Sequence, residues 1–187
     1  MSTFIEYLKK GEIAEGVIAK WFISRGHQAF QVKSDYNMSK GPRIEIDGEK
    51  YISPDMLVQL SSGKTIYVEA KYKNAFSEYR KKGVFTTGID RVPYEHYIKV
   101  SNGTGIPVWV MFLHQGGIAK DAKLGYSPNG LFGNNINELS ANENHRYRGN
   151  GIDMVYWTRK EDGGALIKLD SLSNIRRISS SLSNKKQ

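Results

Sequence analysis

Apolar residues recur at helical spacing near the start of the chain, where Ile13, Ala14, Val17, Ile18, Trp21 and Phe22 share one face. The spacing predicts a helix over Thr3 to Gly26, with Gly11 as a candidate kink and Gly26 as a C-cap. Gln28 to Lys33 reads as a first strand. Arg43 to Ile46 and Lys50 to Ile52 flank Asp47-Gly48, a strong hairpin signal. Pro54 follows at a strand edge or bulge, and Met56 to Leu60 and Thr65 to Tyr72 form strands around Ser61-Ser62-Gly63. Asn74 to Gly88 is polar and basic and predicts a loop or short helix. Val92 to Asn102 reads as a helix, and the continuous apolar run Ile106 to His114 reads as a buried strand. Lys120 to Arg148 is rich in Gly and Asn, with a short helix near Asn135 to Leu139. Ile152 to Thr158 and Ala165 to Leu169 are late strands. Ser171 to Gln187 is rich in Ser, Asn and Lys and predicts a loosely held tail. The expectation is an α/β domain over residues 1–170, followed by a polar basic tail over 171–187.

The second hairpin carries the chemistry. If Ser61, Ser62 and Gly63 form a three-residue loop with Gly63 left-handed, Leu60 pairs with Lys64. Counting outward, that register sets Asp55 directly opposite Glu69 on one face, with Cβ atoms about 5 Å apart. Lys71, two residues on, points to the same face. Facing carboxylates repel unless something positive lies between them. Lys71 supplies one charge, and a divalent cation does better; carboxylate oxygens suit Mg²⁺ or Mn²⁺. The Ala70 carbonyl offers a further oxygen. A lysine beside such an ion suits an attacking water or the charge developing on a phosphorane. The alternative is structural: Asp55 caps a turn, and Glu69 pairs with Lys71 on a solvated strand.

Charge changes the picture next. Lys plus Arg number 27 against 19 for Asp plus Glu, a net charge of +8, and such a surplus attracts polyanions. Lys73, Arg80, Lys81, Lys82 and Arg91 follow the hairpin closely, interleaved with Tyr72, Phe76, Tyr79 and Phe85. This mixture suits phosphate gripping and base stacking. His145-Arg146-Tyr147-Arg148 is a second, weaker cluster of the same kind. The chain has no cysteine, which excludes disulfides, thiol nucleophiles and thiolate zinc sites and suits the cytoplasm, or a host's cytoplasm for a viral protein. His27, His96, His114 and His145 share no ligand spacing and read as structural or surface residues. No P-loop, signal peptide or membrane span is expected.

Pro54-Asp55, thirteen intervening residues, then Glu69-Ala70-Lys71 resemble the signature of the PD-(D/E)XK nuclease superfamily. The order of elements resembles it too: a helix bearing an acid, a strand hairpin, a further helix and a buried strand. Gly11-Glu12-Ile13-Ala14-Glu15 is similar to the first helix of archaeal-type Holliday-junction resolvases, in which an Ala-Glu pair supplies a third acid. The resemblance spans roughly residues 8 to 114, and no Gln matches the motif that some members carry on the following helix. On the helical wheel Glu15 lies roughly 110° from the centre of the apolar face and Glu12 about 170° away, so Glu15 is preferred. The resemblance implies a restriction-endonuclease-like mixed sheet flanked by helices and a Mg²⁺-dependent endonuclease. Asp55, Glu69 and Ala70 would bind metal, Glu15 would assist through a second metal or a water, and Lys71 would orient or activate the attacking water. The implied partner is DNA, branched by preference, and the implied assembly a homodimer. A non-catalytic nucleic-acid-binding module on the same fold, and a restriction-like or RNA-cleaving nuclease, are the rivals.

Overall fold

The computed structural model describes residues 4–32, 42–118 and 123–183. Helix α1 spans Phe4–Ile23 and runs through Gly11 without interruption. Strands β1 (Gln28–Gln31), β2 (Arg43–Ile46), β3 (Glu49–Ile52), β4 (Met56–Gln59), β5 (Thr65–Lys73), β6 (Ser77–Tyr79) and β7 (Val84–Asp90) lead to α2 (Arg91–Thr104). Then come β8 (Val108–His114), β9 (Gly117–Ile118), β10 (Tyr126–Ser127), β11 (Gly130–Asn135) and α3 (Ile136–Ala141). β12 (His145–Gly149), β13 (Ile152–Thr158), β14 (Ile167–Asp170) and α4 (Leu172–Ser183) complete the chain. Thr3, Lys33, Lys120 and residues 184–187, which bound some of the expected elements, lie outside the described residues.

The fold is α/β, with a mixed central sheet in the order β1-β4-β5-β8-β11-β14. β5 and β8 run parallel and the other neighbours antiparallel. Alternation along β5 and β8 divides the core. Ile66, Val68, Ala70, Met111 and Leu113 pack under Ala14, Ile18, Trp21 and Phe22 of α1. Val108, Val110 and Phe112 meet Tyr94, Tyr97 and Val100 of α2 on the opposite face. That second layer also contains a smaller sheet, β12-β13-β7-β6, whose Ile89, Val155 and Trp157 join the same cluster. Ile13, expected on the apolar face of α1, is half exposed.

Three expectations are corrected. Asn74 to Gly88 is neither a loop nor a helix: it supplies β6 and most of β7, and β7 pairs with β13 far along the chain. The Gly- and Asn-rich stretch holds β11, fully inside the central sheet. Its glycine is a packing requirement, because a Cβ at Gly133 would come within 2.6 Å of the Val110 carbonyl oxygen. Within the expected tail, Leu172–Ser183 is a packed helix rather than a loose segment. Leu172 and Ile175 are buried in the α1 layer, and the Ser171 hydroxyl accepts the Asn174 N–H at 3.2 Å as a cap. Asp170 ties both helices together, accepting from Trp21 Nε1 at 2.9 Å and Arg25 at 2.7 Å. Removing residues 172–187 should therefore lower Tm by about 10 °C, since two buried aliphatic side chains contribute roughly 1.5–3 kcal/mol each. A thermal melt of the truncated chain at wild-type Tm would show the helix to be dispensable.

Candidate active site

The hairpin register follows from its loop. Gly63 adopts φ +83°, Gly63 N–H donates to the Leu60 carbonyl at 2.9 Å, and Leu60 N–H donates to the Lys64 carbonyl at 2.8 Å. The strands then pair Gln59 with Thr65 and Met56 with Val68. β5 outruns β4 by five residues, from Glu69 to Lys73, so its edge is open there. Continuing the register sets Pro54 against Ala70. Proline has no N–H to give, so the ladder stops. The Asp55 carboxylate takes over instead and accepts the Ala70 N–H at 2.8 Å.

Glu69 is 2% exposed, on the α2 side of the sheet. Its Oε1 forms an ion pair with Lys71 Nζ, and the Tyr97 phenol lies near its carboxylate. Its Oε2 is buried with no hydrogen-bond partner. Half of the structural alternative is thus present, since Glu69 does pair with Lys71, but Glu69 is buried while Lys71 is 35% exposed.

The electrostatics are those of acids crowded in a dry place. Burial, then the charge of Glu69, pushes the Asp55 carboxyl up to about 8; Lys71 and the Ala70 N–H oppose this, and Glu15 adds to it. Burial alone would lower Lys71, but Glu69 and then Asp55 outweigh it, so its ammonium is held above the usual lysine value. Burial, then repulsion by Lys71, pushes Lys73 down to about 8, with Asp90 opposing. Burial and the charges of Glu69 and Asp55 hold the Tyr97 phenol well above its ordinary value, so it stays a donor.

Asp55, Lys71 and Lys73 open onto a cleft of about 450 Å³, whose wall does not include the buried Glu69 and Tyr97. α1 contributes Lys10, Gly11 and Glu15 to its wall, Asp55 closes one side, and β5 contributes Ala70, Lys71, Tyr72 and Lys73, with Asn74 beyond it. Glu12 is exposed and does not line it. Arg80, Lys81 and Lys82 are exposed in the β6–β7 turn. Arg91 is committed to Asp153 at 3.0 Å and Glu95 at 3.6 Å. Phe76 is core, stacked on the buried His114 ring at 3.7 Å, and is not a base-stacking residue. His27 and His96 each accept a backbone N–H, from Ser61 at 3.1 Å and Ile52 at 2.9 Å.

Two site residues escape a reading of the sequence. Tyr97 could have been found from the period Tyr94, Tyr97, Val100, Ser101, which marks the buried face of α2. Asp90 stands at the N-cap of α2 without capping it by its side chain, and its charge acts on Lys71 and Lys73. Nothing local signals that role.

The donor set suits a hard divalent cation: two carboxylates, one with its proton held by burial and then by the charge of Glu69 and one with an orphaned buried oxygen, beside a strand edge and no soft ligand. Among the described residues no group of three or more His, Cys, Asp or Glu is gathered around one point. A bound ion would therefore draw on backbone carbonyl, water or substrate oxygens as well.

No protein-family model matches the chain, and no curated protein matches it. Among solved structures it is similar to Hjc, a Holliday junction resolvase from the archaeal hyperthermophile Archaeoglobus fulgidus. The identity is 12% and the TM-score 0.45, over 77% of this chain and 86% of that one. A likeness of that size decides nothing about chemistry, which the side chains in the cleft must carry. No helix among the described residues is long and apolar enough to cross a membrane.

Proposed function

We propose that the chain is a metal-dependent endonuclease of the PD-(D/E)XK type, hydrolysing phosphodiester bonds in DNA. The observation that carries this reading is the meeting of Asp55, Glu69 and Lys71 at the open edge of β5, with Asp55 forced toward its protonated form and Glu69 Oε2 unsatisfied. Asp55, Glu69 and the Ala70 carbonyl would hold Mg²⁺ or Mn²⁺, with Glu15 reaching a second ion or a water. The ion would neutralise charge developing on the phosphate.

Lys71 keeps its proton, so it acts as a donor that orients the attacking water and stabilises the pentavalent phosphorus, rather than as a base. Lys71 fixes the Glu69 carboxylate through its ion pair. Lys10 and Lys73, on either side of the cleft, offer positive charge to the phosphates flanking the scissile bond. One cleft per chain cuts one strand, so two-strand cleavage calls for a two-fold dimer, and shape rather than base sequence is the cue, as for branched DNA.

The test is cleavage of linear duplex, single-stranded, flapped and four-way DNA, and of RNA, with Mg²⁺ and with excess EDTA. Mg²⁺-dependent cleavage supports the reading, and preference for the four-way substrate supports its finer form. Binding without cleavage would favour a non-catalytic module. Glu15→Gln should reduce turnover at least tenfold, below the roughly 10²–10⁴-fold of a group that transfers a proton itself, since Glu15 acts through a second ion or a water. Glu12→Gln should stay near wild type; the reverse order would remove Glu15 from the site.

A further inference from the structure

The small sheet has an unusual outer face. Its register pairs His145 with Tyr156 and Tyr147 with Met154, so these four share one side, while Val155 and Trp157 enter the core from the other. A solvated antiparallel face is ordinarily polar. Here the His145 ring lies parallel between Tyr79, at 3.9 Å and 9°, and Tyr156, at 4.6 Å and 0°. A Cβ at Gly88, opposite Tyr156, would stand 2.2 Å from the Val155 carbonyl oxygen and 2.9 Å from the Tyr156 ring, and one at Gly149 would stand 3.0 Å from the Tyr147 hydroxyl oxygen. Rings serving only to close the sheet would be covered, yet Tyr147 is 42% exposed.

The rim is cationic. Arg80, Lys81 and Lys82 follow Tyr79 directly and are exposed. Burial, then the charges of Lys82 and Lys81, holds His145 below its usual value, so the stack itself is uncharged at neutral pH. Asp90 connects this face to the cleft: it lies across from Met154, and its charge acts on Tyr156 as well as on Lys71 and Lys73.

We propose that the outer face of the β12-β13-β7-β6 sheet is a stacking platform for unpaired nucleobases, a binding site for single-stranded nucleic acid that leads away from the cleft. Flat aromatic rings accept bases of any sequence, and the Arg80–Lys82 turn supplies the complement to their phosphates. Duplex DNA has its bases stacked already and can use only the cationic rim. The proposal deepens the nuclease reading by naming a single-stranded arm as part of the substrate, and it rests on that reading for this role alone.

The experiment is fluorescence anisotropy at about 0.15 M salt, in EDTA so that no cleavage intervenes. The probes are oligo(dT) and oligo(U) of about 12 nucleotides, within the span of one such module, and a duplex of the same length. Tyr147→Ala and Tyr79→Ala should each weaken single-strand binding about 5- to 150-fold, the equivalent of ~1–3 kcal/mol of base–aromatic stacking. Duplex binding should change by less than about twofold. Tyr147→Phe should bind single strands like wild type. Equal losses on oligo(dT) and oligo(U) assign stacking alone, and a loss on one assigns stacking plus the sugar or the thymine methyl. Unchanged single-strand affinity in Tyr147→Ala, or equal losses on duplex and single strand, overturns the platform. Failure of the wild type to cleave any substrate with Mg²⁺, while Tyr147-dependent binding persists, overturns the nuclease reading and leaves the platform standing.

Discussion

Asp55→Asn and Glu69→Gln should each reduce cleavage by on the order of 10³-fold or more, with DNA binding retained or tightened. Each change removes one charged oxygen from a pair that a divalent cation needs, and charge stabilisation at a reacting phosphate is worth several kcal/mol. Glu69→Gln removes a negative charge near the place where phosphate must sit, and Asp55→Asn replaces a carboxyl that already keeps its proton below about pH 8 in the metal-free protein, which is why binding does not fall. Lys71→Ala should cost on the order of 10²-fold by withdrawing a preorganised donor. It also strands Glu69, whose Oε1 pairs with Lys71, so its fold should be checked by circular dichroism beside its rate. The reading is refuted by near wild-type turnover in both acid variants, or by undiminished cleavage of metal-free protein in excess EDTA.

The part of this site that a sequence can disclose is the part governed by local rules. A three-residue loop ending in a left-handed glycine determines a strand register, and the register decides which side chains face each other. Gln59 against Thr65 is that rule in operation, and the observed ladder ends at Met56 against Val68, one step short of Asp55 and Glu69. β8 was legible because a strand buried on both faces is continuously apolar.

The misses have the opposite cause. β6 and β7 look like a basic loop because Arg80, Lys81, Lys82 and Gly83 dominate the stretch, while the partner that makes β7 a strand is β13. β11 carries two glycines and two asparagines in six residues, poor strand formers, but the crowded backbones of β8 and β14 leave no room for larger side chains. α4 is diluted by serine, and α1 provides the apolar face that makes its few aliphatic residues sufficient. Tyr97 and Asp90 belong to the site only because the α2 layer lies over β5.

The melting temperature of the metal-free protein should pass through a minimum near pH 8, and two side chains of the cleft should account for its two limbs. Asp55 has an ordinary value of 3.8 and a folded value of about 8, so between these the folded state holds a proton that unfolding releases. Stability therefore falls as pH rises through that interval. Below about pH 6.5 the fall is masked. His114 is pushed down to about 3 by burial and then by Lys73, so unfolding takes up a proton there and its contribution rises with pH. From about pH 6.5 to 8 Asp55 acts unopposed, and the loss is roughly 2 kcal/mol, or about 5 °C for a chain of this size.

Above pH 8 the sign reverses. Lys73 has already lost its proton in the fold while the unfolded chain keeps it until about 10.4, so stability recovers. Asp55→Asn should flatten the limb between pH 6.5 and 8, and Lys73→Met the limb above it. Millimolar Mg²⁺ should raise Tm more at pH 8 than at pH 6, because an ion held by Asp55 takes the place of its proton. Thermal melts across pH 5 to 10 decide the matter: parallel profiles for wild type and Asp55→Asn between pH 6.5 and 8 would show that Asp55 ionises normally and that the crowding of acids in the cleft is not what the geometry implies.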